Sequence, residues 1–228
     1  ERRRRGFADL KPFVVYETIV GSRAYGLDRE GSDEDVRGVY LPPADLHWSL
    51  AGVPEQIEDP AADRVYWELE KYLRLALQAN PNVLETLWTP IVARTTGIGE
   101  RLRAERELFL SRHAYATYGA YALSQFKKME RDLRTHGAVR FKHAMHCIRL
   151  LIAGVRLLES GDVMVDCSAY RDRLLAVRDG QLSWDDVVAW RRELESEMAA
   201  AYARTHLPER PDYARADRLL VDARRSRV

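Results

Sequence analysis

A change in hydrophobic pattern near residue 97 constrains the fold more than any other feature of this 228-residue sequence. Before that point, short runs rich in β-branched and aromatic residues predict strands over 12–20, 36–41 and 63–67. After it, apolar residues recur at helical spacing. The helices are predicted over 98–109, 113–134, 138–159, 168–178, 184–204 and 212–225. The sequence therefore predicts an α+β fold in which a small mixed β-sheet precedes a C-terminal helical bundle.

The segment between the second and third predicted strands is unlike its neighbours. Four prolines punctuate residues 41–62, which show little periodicity. This segment is predicted to be a long loop or a broken edge region. A helix is predicted over 69–77, and it ends before Asn80 because the residue preceding a proline is pushed out of the α region.

Charge is distributed unevenly between the two predicted domains, residues 1–100 and 101–228. The first has 12 basic and 17 acidic residues, whereas the second has 24 basic and 18 acidic residues. The formal net charge of the whole chain is only +1. A balance so near zero argues against a polybasic protein that binds nucleic acid through bulk charge alone.

The two cysteines, Cys147 and Cys167, form no CxxC motif and indicate a reducing compartment. The longest apolar stretch, 147–158, is interrupted by two arginines and is too short to span a membrane. The arginine run at 2–5 is followed by no signal-peptide core, and we interpret it as a solvated tail or a truncation remnant. The sequence thus predicts a cytoplasmic protein without a membrane segment, and it carries no indication of an oligomeric state.

The segment 21–38 is dense in glycine, serine and aspartate and lies between two predicted strands. Gly21 and Ser22 close the first strand, where small residues let backbone N–H groups approach a phosphate and the serine hydroxyl adds a donor. Asp33 and Asp35 are two residues apart, so on a strand both carboxylates point to one face and can bind the same divalent cations. The alternative interpretation is a glycine-rich turn followed by a solvated acidic strand.

The string GSxAxG, followed by five residues and then SDxD, resembles the signature of the DNA polymerase β nucleotidyltransferase superfamily at every motif position. The chain is also similar, nearly end to end, to the RNA-ligase-associated branch of that superfamily, which is tied to RNA repair. Glu34 departs from the pattern of that branch, which has an aromatic or aliphatic residue there. The residues that carry this similarity are Arg37, Tyr40, Asn80-Pro81-Asn82 with Glu85, Tyr121 to Gln125 with Lys127, Lys142 to His146 with Arg149 to Leu151, and Arg178-Asp179-Gly180.

The resemblance implies transfer of a nucleoside monophosphate from an NTP such as ATP to an acceptor, with release of pyrophosphate. It implies two Mg²⁺ or Mn²⁺ ions held by Asp33, Asp35 and a third carboxylate from a neighbouring strand. We expect Asp63 to be the third carboxylate, with Glu68 as the alternative; Asp63 could instead be a capping residue. Arg23, inside the phosphate turn, would contact the γ-phosphate or only solvent.

One predicted helix carries a polar stripe of Lys142, His146 and Arg149. These side chains could hold a triphosphate or an RNA backbone, or they could form an ordinary solvated helix face. His143 and His146 have no third His or Cys at ligand spacing, so we reject a zinc site. The segment 80–85 could reach a nucleotide or could cap the helix that follows it.

Three functions are compatible with these features. The leading hypothesis is a metal-dependent nucleotidyltransferase whose acceptor is an RNA or tRNA end, because the similar branch is tied to RNA repair and the helical part is basic. A second hypothesis transfers the NMP to a protein or small-molecule hydroxyl, which the near-zero net charge fits better. The third, a catalytically silent nucleotide-binding or RNA-scaffolding protein, is disfavoured by the intact Asp33 and Asp35.

Overall fold

The computed structural model describes residues 5–228 and confirms a mixed α+β fold. The strands are β1 (Val14–Val20), β2 (Asp35–Tyr40), β3 (Gln56–Asp59), β4 (Arg64–Glu68) and β5 (Val92–Thr95). The α-helices are α1 (Phe7–Leu10), α2 (Gly21–Ala24), α3 (Ala44–Trp48), α4 (Leu69–Leu77), α5 (Pro81–Trp88), α6 (Gly97–Ala104), α7 (His113–His136), α8 (Phe141–Ser160), α9 (Arg171–Arg178), α10 (Trp184–Arg204) and α11 (Tyr213–Arg225). Short 3₁₀ helices cover Lys11–Phe13, Pro60–Ala62, Arg106–Phe109 and Ser168–Tyr170.

The five strands form one mixed sheet in the order β3-β4-β2-β1-β5. β1 is antiparallel to β2 and β5, whereas β4 is parallel to β2 and antiparallel to β3. Val20 lies opposite Asp35 in the β1–β2 pair, and Val36 lies opposite Arg64 in the β2–β4 pair. The register therefore brings the end of β1 and the starts of β2 and β4 to the same end of the sheet.

The two faces of the sheet have different surroundings. The alternation of side chains along β2 places Asp35, Arg37 and Val39 on the face opposite to Val36 and Tyr40. The second face packs into a buried apolar cluster that covers the sheet on that side. This cluster consists of Leu10, Val14, Val36, Tyr40, Ile57 and Tyr66, with Phe7, Phe13 and Val53 packed against it.

The three predicted strands correspond to β1, β2 and β4, each within two residues of its predicted bounds. The sequence pattern does not predict β5, and it predicts only a loop or broken edge region where α3 and β3 lie. Both unpredicted strands have four residues and lie at the edges of the sheet with mostly exposed side chains. Such strands lack a long alternating pattern, because β3 buries one side chain and β5 buries none.

The chain forms two compact units. The first comprises residues 5–78, 82–109 and 211–228, and it contains the sheet together with α11. The second comprises residues 79–81 and 110–210, with α7 to α10. This division differs from the predicted one at residues 100 and 101, because α11 packs against α4 of the first unit. Periodicity predicts α11 as an amphipathic helix but does not reveal which element covers its apolar side.

In the second unit, α8 packs against α7, α9 and α10. Its C-terminal half is buried around most of its circumference. At the start of α10, the Ser183 hydroxyl accepts a hydrogen bond from the Asp186 N–H, and the Asp186 carboxylate accepts one from the Ser183 N–H. This reciprocal pair fixes the point at which α10 begins.

Arg5 is the one residue of the arginine run 2–5 that the structure describes; residues 2–4 lie outside the described part. Its guanidinium donates hydrogen bonds to the Ser49 hydroxyl and to the Gly52 carbonyl. Arg5 is therefore an anchored side chain and not part of a solvated tail. Among residues 5–228, no helix combines the length and the apolar character that a membrane span requires.

Candidate active site

The turn that follows β1 is the single-turn helix α2, which begins at Gly21. Gly21 has a φ of +72°, a region that favours glycine. A methyl group placed on its Cα would overlap a carboxyl oxygen of Asp35. A side chain is therefore excluded both by the backbone conformation and by the contact. The glycine allows the backbone at the start of α2 to lie directly against the carboxyl group at the start of β2.

Asp35 and Asp63 form a hydrogen-bonded carboxyl pair. Burial raises the pKa of Asp35 to about 6, and the hydrogen bond to Asp63 and the negative charge of Asp63 act in the same direction. That hydrogen bond, together with Arg37, lowers the pKa of Asp63. Two carboxyl groups this close are stable when a proton or a cation lies between them. The pair therefore fits a hard divalent cation, which prefers carboxylate oxygens.

Arg37 holds Asp63 in place at the entry to β4. Asp63 has left-handed backbone angles, φ 45° and ψ 50°, which are uncommon for a residue with a side chain. Nη1 of Arg37 lies 3.0 Å from Oδ1 of Asp63 and donates a hydrogen bond of 2.8 Å to its carbonyl oxygen. The Val36 N–H donates to the same carbonyl at 3.0 Å. These contacts keep the Asp63 carboxylate beside Asp35.

Asp33 is exposed in the loop that precedes β2. Its negative charge contributes to the raised pKa of Asp35, after burial and the effects of Asp63, so the three carboxyl groups are neighbours. Across the described part of the chain, however, no three His, Cys, Asp or Glu side chains are arranged to hold a metal ion. Asp35 and Asp63 are thus the carboxyl pair in direct contact, and coordination of a metal ion by Asp33 stays a prediction.

Glu68 does not join this group. The β2–β4 register places it opposite Tyr40, at the far end of the strand pair and about 15 Å along the chain direction from Asp63. Its carboxylate accepts a hydrogen bond from the Glu70 N–H at 2.8 Å and lies 3.7 Å from both His47 Nε2 and Arg224 Nη2. Glu68 therefore contacts other parts of the first unit, and the structure brings Asp63 rather than Glu68 to Asp35.

Ser22 and Arg23 occupy the body of the α2 turn. Ser22 is half-buried, and its carbonyl accepts a hydrogen bond from the Leu27 N–H at 2.9 Å. The Arg23 guanidinium lies 3.1 Å from the Glu34 carboxylate and donates to the Ser32 carbonyl at 3.1 Å. Arg23 thus links the turn to the loop before β2. Glu34, the residue that departs from the family pattern, is its ionic partner.

A buried hydrogen bond between Tyr25 and Glu85 joins the end of the α2 turn to helix α5. Both are buried, with 7% and 1% of their surface exposed, and the Tyr25 hydroxyl donates to Oε2 of Glu85 at 2.7 Å. Glu85 belongs to α5, which begins at Pro81. The sequence marks both residues through the motifs GSxAxG and Asn-Pro-Asn-x-x-Glu but gives no sign that they touch. The hydrogen bond indicates that Glu85 positions the turn, and a contact between the segment 80–85 and a nucleotide stays a prediction.

The polar stripe of α8 is more buried than a solvated helix face. Lys142 is exposed, but Arg149 is only 3% exposed. Burial, followed by the positive charges of Arg149 and Lys142, lowers the pKa of His146 to about 4. His143 pairs with Gln125, with Nε2 and Oε1 2.8 Å apart. The expectation that no zinc site exists here stays a prediction.

Comparison with known protein families matches residues 7–222 to a family described as the RNA repair pathway DNA polymerase beta family. The chain belongs to this family. The match confirms the resemblance carried by the GSxAxG and SDxD motifs. The description of the family suggests a polymerase β-like nucleotidyltransferase in RNA repair.

The chain also has a relative among curated proteins. The chain is similar to the protein named "Uncharacterized protein YcgL" of Bacillus subtilis (strain 168), with 33% identity over 147 residues. The matched region covers 61% of this chain and 54% of the relative. The match thus spans about half the length of that curated relative.

Proposed function

We propose that this member of the RNA repair pathway DNA polymerase beta family transfers a nucleoside monophosphate from an NTP to an acceptor hydroxyl and releases pyrophosphate. The observation that carries the proposal is the contact between the Gly21 backbone and the Asp35 carboxyl group, beside Asp63. A phosphate-binding turn and a cation-binding carboxyl pair are thereby combined in one place.

Asp33, Asp35 and Asp63 would hold two Mg²⁺ or Mn²⁺ ions, with Asp63 preferred to Glu68 as the third carboxylate. When bound, such ions supply positive charge to the phosphates and lower the pKa of an attacking hydroxyl. The backbone N–H groups and the hydroxyl of Gly21 and Ser22 bind phosphate oxygens and orient them. Arg23 maintains the turn through its contact with Glu34.

The proposed transfer is a single displacement at the α-phosphorus. A bond forms from the acceptor oxygen to this phosphorus while the bond from phosphorus to the bridging oxygen of the β-phosphate breaks. Pyrophosphate leaves with the electron pair of the broken bond, and the acceptor proton passes to solvent. Lys142, His146 and Arg149 of the second unit are proposed to bind phosphate groups of the nucleotide or of the acceptor.

The proposed acceptor is an RNA or tRNA end, which the family's place in RNA repair supports. The excess of basic residues in 101–228 supports it as well. Transfer to a protein or small-molecule hydroxyl is the second candidate, and the net charge of +1 favours it. We propose the cytoplasm as the compartment, since no disulfide joins Cys147 and Cys167.

The test is incubation with each α-labelled NTP, with Mg²⁺ or Mn²⁺, and with RNA, tRNA or total protein. We expect label in the RNA or tRNA fraction, with one pyrophosphate released per NMP incorporated. Label confined to protein would support the second candidate. The absence of label and pyrophosphate from every mixture would contradict the transferase proposal.

A further inference from the structure

Positive charge collects around His146 in the second unit. The charged groups with the largest effect on this histidine are Arg149, Lys142 and His143 of α8 and Arg178 of α9. All four are cationic or become cationic on protonation. Arg178 belongs to the Arg-Asp-Gly motif that none of the proposed roles above uses. These five side chains are called the α8–α9 basic cluster below.

Contacts between the two helices bring Arg178 to the start of α8. Arg178 is the last residue of α9, and Gly180 follows two positions later with a φ of +68°. A methyl group on Gly180 would lie 3.5 Å from the ring of Phe141, the first residue of α8. The end of α9 is thus packed against the first turn of α8, which carries Lys142 and precedes His146 by about one turn.

The cluster is not an ordinary solvated surface. Arg149 is almost fully buried, and burial is the largest contribution to the low pKa of His146. A pKa of about 4 leaves the ring neutral near pH 7, although the neutral ring can still donate one hydrogen bond. Fixed positive charge held partly away from water attracts an anion more strongly than the same charge on a solvated stripe.

The position of the cluster on α8 adds to its positive character. The N-cap residue of this 20-residue helix, Arg140, makes no side-chain capping hydrogen bond, and the first turn contains no acidic residue. Cations near a helix N-terminus are unfavourable, because the helix dipole is positive there. A bound anion reduces the repulsion between the cationic side chains and the helix dipole, and it reduces the repulsion among the cationic side chains themselves.

We propose that Lys142, His146, Arg149 and Arg178 together bind a phosphate group. Arg178 is the binding residue that neither the motif pattern nor the candidate active site assigns. Arginine guanidinium groups can bind two phosphate oxygens at once, and lysine adds a point charge. The identity of the phosphate, from an NTP or from an RNA end, rests on the proposed function; binding of the phosphate group does not.

Isothermal titration of the full chain with tripolyphosphate in EDTA tests the site. Lys142→Gln and Arg178→Gln replace side chains that are exposed and half-buried, respectively, so both variants are expected to fold. Each should weaken binding by about tenfold. Arg156→Gln removes the same charge from an exposed position of α8 outside the cluster and should weaken binding less than twofold. Equal weakening by all three variants, or by none, would overturn the proposal.

An NMR titration reports on the site directly. The chain has six histidines, and His146→Gln assigns the His146 ring resonance. We expect tripolyphosphate to raise the pKa of His146 by about one unit or more, because a bound anion stabilises the protonated ring. A merely structural role for the cluster would leave this pKa unchanged, and that result would overturn the proposal.

Two further experiments distinguish an NTP from an RNA end as the source of the phosphate, and distinguish failure of this inference from failure of the proposed function. Tighter binding of tripolyphosphate than of a 5′-phosphorylated oligoribonucleotide assigns the site to the NTP, and the reverse order assigns it to an RNA end. The Asp33→Asn, Asp35→Asn double variant should lose nucleotidyl transfer and keep phosphate binding. If the wild-type chain transfers nucleotides but does not bind tripolyphosphate at the cluster, only this inference is rejected. If the wild-type chain binds tripolyphosphate but transfers no nucleotide, only the proposed function is rejected.

Discussion

Gly21 excludes a side chain both by its positive φ and by its contact with the Asp35 carboxyl group. Gly31 shares the first property but not the second. Gly31 has a similar φ of +78°, but a methyl group there would meet nothing within 4 Å. Gly31→Ala should therefore lower the free energy of unfolding by about 1 kcal/mol through backbone strain alone. Gly21→Ala should lower it further and should abolish nucleotidyl transfer, because the methyl group displaces the Asp35 carboxyl group. Urea unfolding and label incorporation measure both effects; equal stability losses with normal transfer would contradict the assigned contact.

The hydroxyl of Tyr25 joins the α2 turn to the buried Glu85. Tyr25→Phe removes this hydrogen bond and should lower the free energy of unfolding by about 1–3 kcal/mol. It should also raise the KM for NTP more than it lowers kcat, because the turn loses its support. Tyr16→Phe is the matched control, since the Tyr16 hydroxyl donates to the Thr86 carbonyl at 2.6 Å elsewhere in the first unit. An equal rise in KM for both variants would reject a positioning role for Glu85.

His146 makes stability depend on pH in a defined direction. Burial and nearby positive charge lower its pKa to about 4 in the folded chain, while the unfolded value is near 6.5. Between these values the unfolded chain binds more protons, so stability is lost as the pH falls from about 6.5 towards 4. The difference in unfolding free energy between wild type and His146→Gln should shrink by about 2–3 kcal/mol over this range. A difference that is constant with pH would contradict the assigned environment.

At the scale of elements, the hydrophobic pattern of the sequence predicts the position of each helix or strand that buries one regular face. β1, β2 and β4 and the helices of residues 97–225 have such faces, and their positions follow from periodicity. β3 and β5 are short edge strands with few buried side chains, so their pattern is too weak to distinguish them from loops. The partner of α11 is set by long-range packing, which no local pattern contains.

Part of the candidate site could likewise be predicted from the sequence, and part could not. The motif spacing identifies Gly21, Asp33 and Asp35, because the chemistry of phosphate and cations requires those residue types in that order. It does not reveal that the Asp35 and Asp63 carboxyl groups are in contact, or that Asp63 adopts left-handed backbone angles. Those features depend on Arg37 and on the sheet register, and both join segments far apart in sequence.

Helix α11 contributes to the stability of the first unit although it is last in sequence. Its buried side includes Leu219, which is 1% exposed, and Arg224 pairs with Glu70 of α4 at 2.8 Å. Leu219→Ala should lower the free energy of unfolding by about 2–4 kcal/mol. Hydrogen exchange should then accelerate in α4 and β4 and stay slow in α8. Leu220→Ala, at a half-buried neighbour, is the control; faster exchange in α8 as well would contradict the division into two units.

At the scale of the whole molecule, opposite charges belong to different parts of the chain. The acidic excess of residues 1–100 includes the Asp33, Asp35 and Asp63 carboxyl groups, and the basic excess of 101–228 includes the α8–α9 basic cluster. A net charge of +1 therefore conceals two local sites of opposite sign. In physical terms, one suits divalent cations and the other suits phosphate groups.

The central claim is that the Asp35 carboxyl group beside the Gly21 turn supports nucleotidyl transfer. Asp35→Asn keeps the size of the side chain and removes its charge, and Asp45→Asn makes the same change at an exposed position of α3. With an α-labelled NTP, Mg²⁺ and the acceptor that the wild type labels, we predict that Asp35→Asn lowers the rate of transfer at least about 100-fold. Asp45→Asn should match the wild type. Transfer by Asp35→Asn at the wild-type rate would contradict the account.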